Sequence, residues 1–305
     1  MFINILNQSF QETIMPYGVD SNFPVGAAAG WCKTVDDVRE LARSTASFLV
    51  VGSYTVLPRD GNPGNVFNGM SEFSLNSLGM PNLGIEYLKS YGHEMVKLAH
   101  VREKPIYLSI AGFSPWEYGI LAHVAIEIGF DGVEVNMGCP NVADGGKRKA
   151  IASFDPQMVH AILSEIGTSM KETILTVKVS PMTNPQDIVH IAGVISQYPV
   201  HAVVSMNTIP NSLDFTSEGK LVIETPDKNG WAGGAGSAIL PMALGQVSQW
   251  RKVLPDTIQV WGVGGVQNGL AAKKMLLAGA SVVQVATGLF VYGPKIFSDI
   301  ASEFV

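Results

Sequence analysis

A nearly continuous apolar run that ends in small or polar residues occurs eight times along this chain, and stretches with a helical apolar period lie between the runs. The runs cover 24–30, 47–54, 106–112, 132–138, 174–180, 202–208, 258–265 and 282–289. Apolar runs without alternation are what a parallel strand needs when both of its faces are covered. The amphipathic stretches fall at 34–46, 115–128, 155–166, 185–198 and 268–277. Thr34 before an acidic turn and Asp155 before Pro156 read as N-caps. Eight strands alternating with helices specify an α/β fold, the (β/α)8 TIM barrel. The alternative is a doubly wound open sheet, but Ala27-Ala28-Ala29-Gly30 lacks the glycine-rich dinucleotide turn such a sheet carries after its first strand.

The whole chain, 1–305, reads as one barrel domain. Residues 2–15 read as a hairpin, with 1–22 capping the N-terminal face. Long connections at 55–105 and 209–240 follow the second and sixth runs, and in a barrel such loops stand at the active-site end. No terminal helix is expected after Phe297.

Twenty basic against 26 acidic residues leave no electrostatic footprint for nucleic acid. Every apolar run is interrupted before the roughly 18 residues of a membrane span. Met1-Phe2-Ile3-Asn4-Ile5-Leu6-Asn7 has neither the basic nor the apolar region of a signal peptide. Two cysteines allow no disulfide framework, and the six histidines show no metal-ligand spacing. A cytoplasmic protein with a small-molecule substrate is expected, with no nucleic-acid, membrane or metal partner.

Barrel chemistry comes from the carboxyl ends of the strands. Cys139 follows the fourth run within Asn136-Met137-Gly138-Cys139-Pro140-Asn141, placed to act as a base or nucleophile. Its bland alternative is a small buried apolar residue. Lys178 stands in an apolar strand and needs an anion or a strong acceptor to offset desolvation of its ammonium; otherwise it must snorkel outward. Asn207 and Thr208 end the sixth run. Gly264-Gly265 and Ala286-Thr287-Gly288 end the seventh and eighth, where backbone N–H groups can cradle a phosphate. The glycine-rich 229–237 supplies another flexible stretch nearby. Cys32 reads as packing, and the basic run 147–149 as a solvated loop or part of a lid.

The segment from Asn136 to Val142 closely resembles the active-site motif of class 1 dihydroorotate dehydrogenases. Gly61-Asn62-Pro63, Asn76-Ser77-Leu78-Gly79-Met80-Pro81-Asn82 and Met206 to Leu213 resemble further loops of that family. Gly264-Gly265 and Gln284-Val285-Ala286-Thr287-Gly288 resemble its FMN phosphate site. The resemblance implies FMN across the barrel mouth and dihydroorotate oxidised to orotate, a step of pyrimidine biosynthesis. It implies Cys139 as acid/base and Lys178 beside the flavin. Ala28, Ser53, Asn136 and Thr208 would line the ring, and Gly236, Gly264, Gly265, Thr287 and Gly288 would hold the phosphate end. Asn76, Leu78, Gly79, Met80, Asn136, Asn141, Asn207 and Thr208 would meet the substrate.

A homodimer is implied as well. An NAD-linked form would need a separate iron–sulfur/FAD subunit, which nothing in this chain indicates. The class 1 reading rests on Cys139 and on the missing amphipathic N-terminal extension. Two departures stand out. Gly52 falls where the family usually has a lysine, and Val66 where it usually has an arginine. Either Arg59 or the run 147–149 compensates, or the ring recognised is less anionic. The alternatives are therefore a different cyclic enamide or enone, or a flavin-free barrel binding a phosphorylated ligand.

Overall fold

The structure is a computed structural model that describes residues 19–144, 147–170 and 173–304. Eight parallel strands form the barrel wall: β1 (Val25–Ala27), β2 (Leu49–Tyr54), β3 (Ile106–Ile110), β4 (Gly132–Asn136), β5 (Ile174–Lys178), β6 (Ala202–Val204), β7 (Gln259–Val263) and β8 (Val282–Val285). They pair in chain order, and β1 pairs β8. Backbone bonds from Ser47 to Val25 at 2.9 Å and from Ala27 to Phe48 at 3.2 Å bring β1 against the start of β2 and close the circle. All eight expected strands are present and shorter than their apolar runs. Every run but the second, which ends with β2 at residue 54, continues past its strand toward the mouth.

Helices α1 (Val35–Leu41), α2 (Gly84–His100), α3 (Pro115–Ile128), α4 (Pro156–Ile166), α5 (Pro185–Ile195), α6 (Leu240–Val253), α7 (Gly269–Leu277) and α8 (Thr287–Tyr292) lie between and after the strands. Thr34 and Asp155 are N-caps as expected. The Thr34 hydroxyl accepts from the Asp37 N–H while the Asp37 carboxylate accepts from the Thr34 N–H, a capping box. Asp155 accepts from the N–H groups of Gln157 and Met158.

The connection 55–105 contains a helix the sequence reading passes over. In α2, Ile85, Leu88, Gly92, Met95, Val96 and Ala99 are buried at helical spacing, but the N-cap position holds Leu83, which has no capping side chain. Without a start signal, the periodicity is hidden inside a long loop. A terminal helix α9 (Ile296–Glu303) also corrects the expectation for the end of the chain: Ile296, Phe297 and Ile300 form its buried stripe. The expected hairpin over 2–15 lies outside the described residues.

Packing inside the barrel is layered. Phe48, Tyr107 and Trp261 meet with centroids 5.3–6.0 Å apart, mostly edge to face. Strands β3 and β7 are not neighbours, so this contact runs through the interior and fills its N-terminal half. Above the aromatics, Ser109, Glu134, Lys178 and Gln284 form a polar layer, all buried. The two long connections meet over the mouth in an antiparallel sheet, in the order Ile209–Ser212, Ala232–Ala235, Ser74–Asn76, Phe67–Asn68. Among the described residues no helix is long and apolar enough to cross a membrane.

Candidate active site

The polar layer answers what Lys178 pairs with. Its Nζ lies 3.7 Å from Glu134 Oε1 and donates to Gln284 Oε1 at 3.4 Å. Glu134 in turn accepts from Gln284 Nε2 at 2.7 Å and from the Ser109 hydroxyl at 3.2 Å. A buried ion pair persists only when its remaining lone pairs find donors, and here they do. Glu134 and Gln284 fall inside the fourth and eighth apolar runs, and their part in this layer is not among the sequence expectations. Their signal was a carboxylate and a carboxamide inside apolar runs.

A hydrogen-bonded chain carries this layer up to the mouth. Ser109 and Ser53 hydroxyls are 2.9 Å apart, Asn136 Nδ2 donates to Ser53 Oγ at 2.8 Å, and Asn207 Nδ2 donates to Asn136 Oδ1 at 3.1 Å. On the other side Asn141 Nδ2 donates to the Asn76 carbonyl at 2.7 Å and to Asn76 Oδ1 at 3.1 Å. The mouth sheet sets Asn76 opposite Gly233, whose carbonyl accepts from Asn76 Nδ2 at 3.2 Å. Asn141 Oδ1 is buried and has no partner among the described residues. A buried carboxamide oxygen lacking a donor costs stability unless a ligand supplies one.

These groups line one cleft of about 1130 Å³, counting the solvent at its opening. The expected residues Ser53, Asn76, Leu78, Gly79, Met80 and Asn136 line it. So do Cys139, Asn141, Lys178, Asn207, Thr208, Gly264, Gly265 and Thr287.

Three expected cofactor residues do not. Ala28 is fully buried and its N–H is spent on the Val285 carbonyl at 3.0 Å, so Ala29 and Gly30 take the lining position instead. Gly236 sits behind the wall with its neighbour Ala235 facing inward, and Gly288 is buried within α8. Gly265 does need to be glycine. Its φ is +78°, and a Cβ there would come within 2.7 Å of Leu240, the first residue of α6.

Cys139 is half-buried in the cleft. Burial pushes its thiol above the usual range. The Asn141 backbone N–H and the cations of Lys33, Lys149 and Lys178 oppose that shift. Of these, Lys33 is a lining residue the sequence reading missed. It stands beside Cys32, which is buried and packs as expected.

Arg59 and Lys149, two of the cations expected to compensate, both meet Phe113. The Arg59 guanidinium lies 4.8 Å from the Phe113 ring centroid and its Nε donates to the Gly79 carbonyl at 3.2 Å. Lys149 Nζ is 4.9 Å from the same centroid and donates to the Gly112 carbonyl. At Gly52 the backbone admits no larger side chain. Its φ is +118°, and a Cβ would stand 2.4 Å from the Ser109 carbonyl oxygen.

Fold and cleft together define a TIM barrel built to hold a ligand across its C-terminal mouth, with carboxamides on one side and paired glycines on the other. The chain belongs to the dihydroorotate dehydrogenase family, in its class 1 branch: the family model described as dihydroorotate dehydrogenase matches residues 13–305. It is similar to dihydroorotate dehydrogenase A (fumarate) of Lactococcus lactis subsp. cremoris strain MG1363, 34% identical over 283 residues, covering 92% of this chain and 88% of that one. The Lactococcus lactis subsp. lactis strain IL1403 protein of the same name matches to the same extent, also at 34% identity. Among solved structures, the dihydroorotate dehydrogenase of Eimeria tenella in complex with ferulenol superposes with a TM-score of 0.76 at 19% identity. That pair covers 95% of this chain and 82% of the other, a likeness of fold.

Proposed function

We propose that this chain is an FMN-dependent dihydroorotate dehydrogenase that acts as a homodimer in a cytoplasmic step of pyrimidine biosynthesis, with fumarate as electron acceptor. The single observation that carries the reading is the convergence of Cys139, Lys178 and four asparagines on one cleft at the carboxyl ends of the strands, in a chain of this family. Fumarate is the acceptor in the names of the similar Lactococcus proteins.

The residues present suit FMN. The far wall of the cleft is made by Gly264, Gly265, Gln267 and Thr287 at the ends of β7 and β8, where a barrel holds a phosphate. Ser53, Asn136 and Lys178 would face the ring, the ammonium supplying positive charge against it. When bound, FMN supplies the two-electron acceptor for the hydride that leaves the substrate. Everything else falls to the chain.

Asn76, Asn136, Asn141 and Asn207 offer carboxamide donors and acceptors matched to the amides of a planar ring, and the open Asn141 Oδ1 is an acceptor waiting for one of its N–H groups. Holding the ring in one pose removes much of the entropic barrier. The Cys139 thiolate takes the proton from the ring carbon next to a carbonyl as hydride leaves the adjacent carbon, so the C–C bond becomes C=C.

The experiment is anaerobic mixing of the FMN-loaded protein with dihydroorotate. Bleaching of the flavin absorbance with appearance of orotate is expected, and unchanged absorbance would refute the reading. Support for the homodimer comes from Leu213, Phe215, Leu221 and Trp231 on the mouth-side connection, each 37–56% exposed; Leu213 and Leu221 flank Gly230, and Phe215 bridges to Leu221. Such apolar patches mark interfaces. Sedimentation at micromolar concentration is expected to give twice the chain mass; a single chain would exclude it.

A further inference from the structure

Lys33 is fixed by the backbone around it. The Gly30 N–H donates to the Gly52 carbonyl at 2.7 Å and the Gly52 N–H donates to the Cys32 carbonyl at 2.8 Å, which pins the turn after β1 along β2. The Lys33 N–H donates to the Asp37 carboxylate at 2.8 Å, and the Tyr54 hydroxyl donates to the Lys33 carbonyl. With its main chain held at both ends, the side chain enters the cleft, where its charge acts on Cys139. There its ammonium donates to the Pro81 carbonyl, in the loop that also carries Leu78, Gly79 and Met80.

An ammonium has three N–H donors, and a single carbonyl does not neutralise it. Among the described residues no carboxylate forms an ion pair with Lys33, whereas Lys178 in the same cleft has Glu134. Burial lowers its pKa to about 8, with Cys139 and Asp37 working the other way, so the charged form still predominates at neutral pH. A partly desolvated cation that faces a ligand cleft without an anion is costly, and a ligand that brings the anion removes the cost.

We infer that Lys33 is the residue that selects an anionic ring: its ammonium receives the substrate's carboxylate, while the asparagines meet the ring amides. The inference rests on the dihydroorotate reading above and assigns the charge recognition that Gly52 has no space to provide.

The test compares the FMN-loaded wild type with Lys33→Met, which keeps an apolar stem of similar length. Orotate is titrated into each by calorimetry, and uracil, the same ring without the carboxylate, serves as the control. Loss of one charge-assisted hydrogen bond to a carboxylate predicts orotate binding about 10- to 100-fold weaker in the variant. Toward uracil the two proteins are expected to be indistinguishable.

Equal affinity of both proteins for orotate would overturn the role of Lys33 and leave the proposed function standing. Proportional loss of orotate and uracil would also overturn it, because Lys33 would then act only by holding the loop through Pro81. A wild type without affinity for orotate would overturn the functional reading and this inference together.

Discussion

Cys139→Ala is expected to slow dihydroorotate oxidation by about 10²–10⁴-fold, the range a positioned general base contributes. Orotate affinity and flavin content are expected to stay close to wild type, because neither the carboxamide pairs nor the Lys178 layer touches the thiol. The wild-type rate should depend on pH in a direction that burial sets. The thiol is pushed up, so at neutral pH the proton is mostly on sulfur and the basic form is scarce. Turnover in the oxidative direction therefore rises with pH, roughly tenfold per unit until the thiol pKa is reached. In the reverse direction the protonated thiol is the acid, and the dependence inverts. Stopped-flow reduction across the alkaline range measures both. An Ala variant as fast as wild type, or a flat profile, would remove Cys139 from proton transfer.

The second large effect concerns stability as well as cofactor binding. Lys178→Met removes the cation from a buried pair and leaves the Glu134 carboxylate with only Gln284 and Ser109 as donors. Breaking a buried pair by deleting one partner costs about 3–5 kcal/mol. Denaturant unfolding of the variant should show that loss, and the purified protein should retain little FMN. Adding Glu134→Gln removes the stranded charge, so the double variant is expected to recover most of the stability. FMN retention should stay low, because the cation facing the ring is still missing. This split separates the two tasks of Lys178. A single variant within about 1 kcal/mol of wild type would mean that the pair contributes little, as exposed pairs do.

The residues that were legible in the sequence share one property: their signal is local. A strand covered on both faces must be apolar along its whole length, so β1 to β8 announce themselves, and Thr34 and Asp155 mark helix starts by side chains that reach only two or three residues on. Cys139 and Lys178 were visible because a thiol at a strand end and an ammonium inside an apolar run are conspicuous wherever the chain goes. By contrast, α2 was missed because its N-cap position holds Leu83 and not a capping residue, although its apolar spacing was present.

The chain by itself determined a barrel, its order of elements, and which strand ends carry reactive groups. Only the closed structure decided which of those groups meet. Lys178 finds Glu134 one strand away and Gln284 across the interior, while Arg59 and Lys149 meet Phe113 and Lys33 enters the cleft. These pairings depend on strand register and on barrel closure, which set distances between residues far apart in sequence. A periodicity read over a few neighbours contains no information about such distances, so the identity of the cleft's second cation appears only once the barrel is closed.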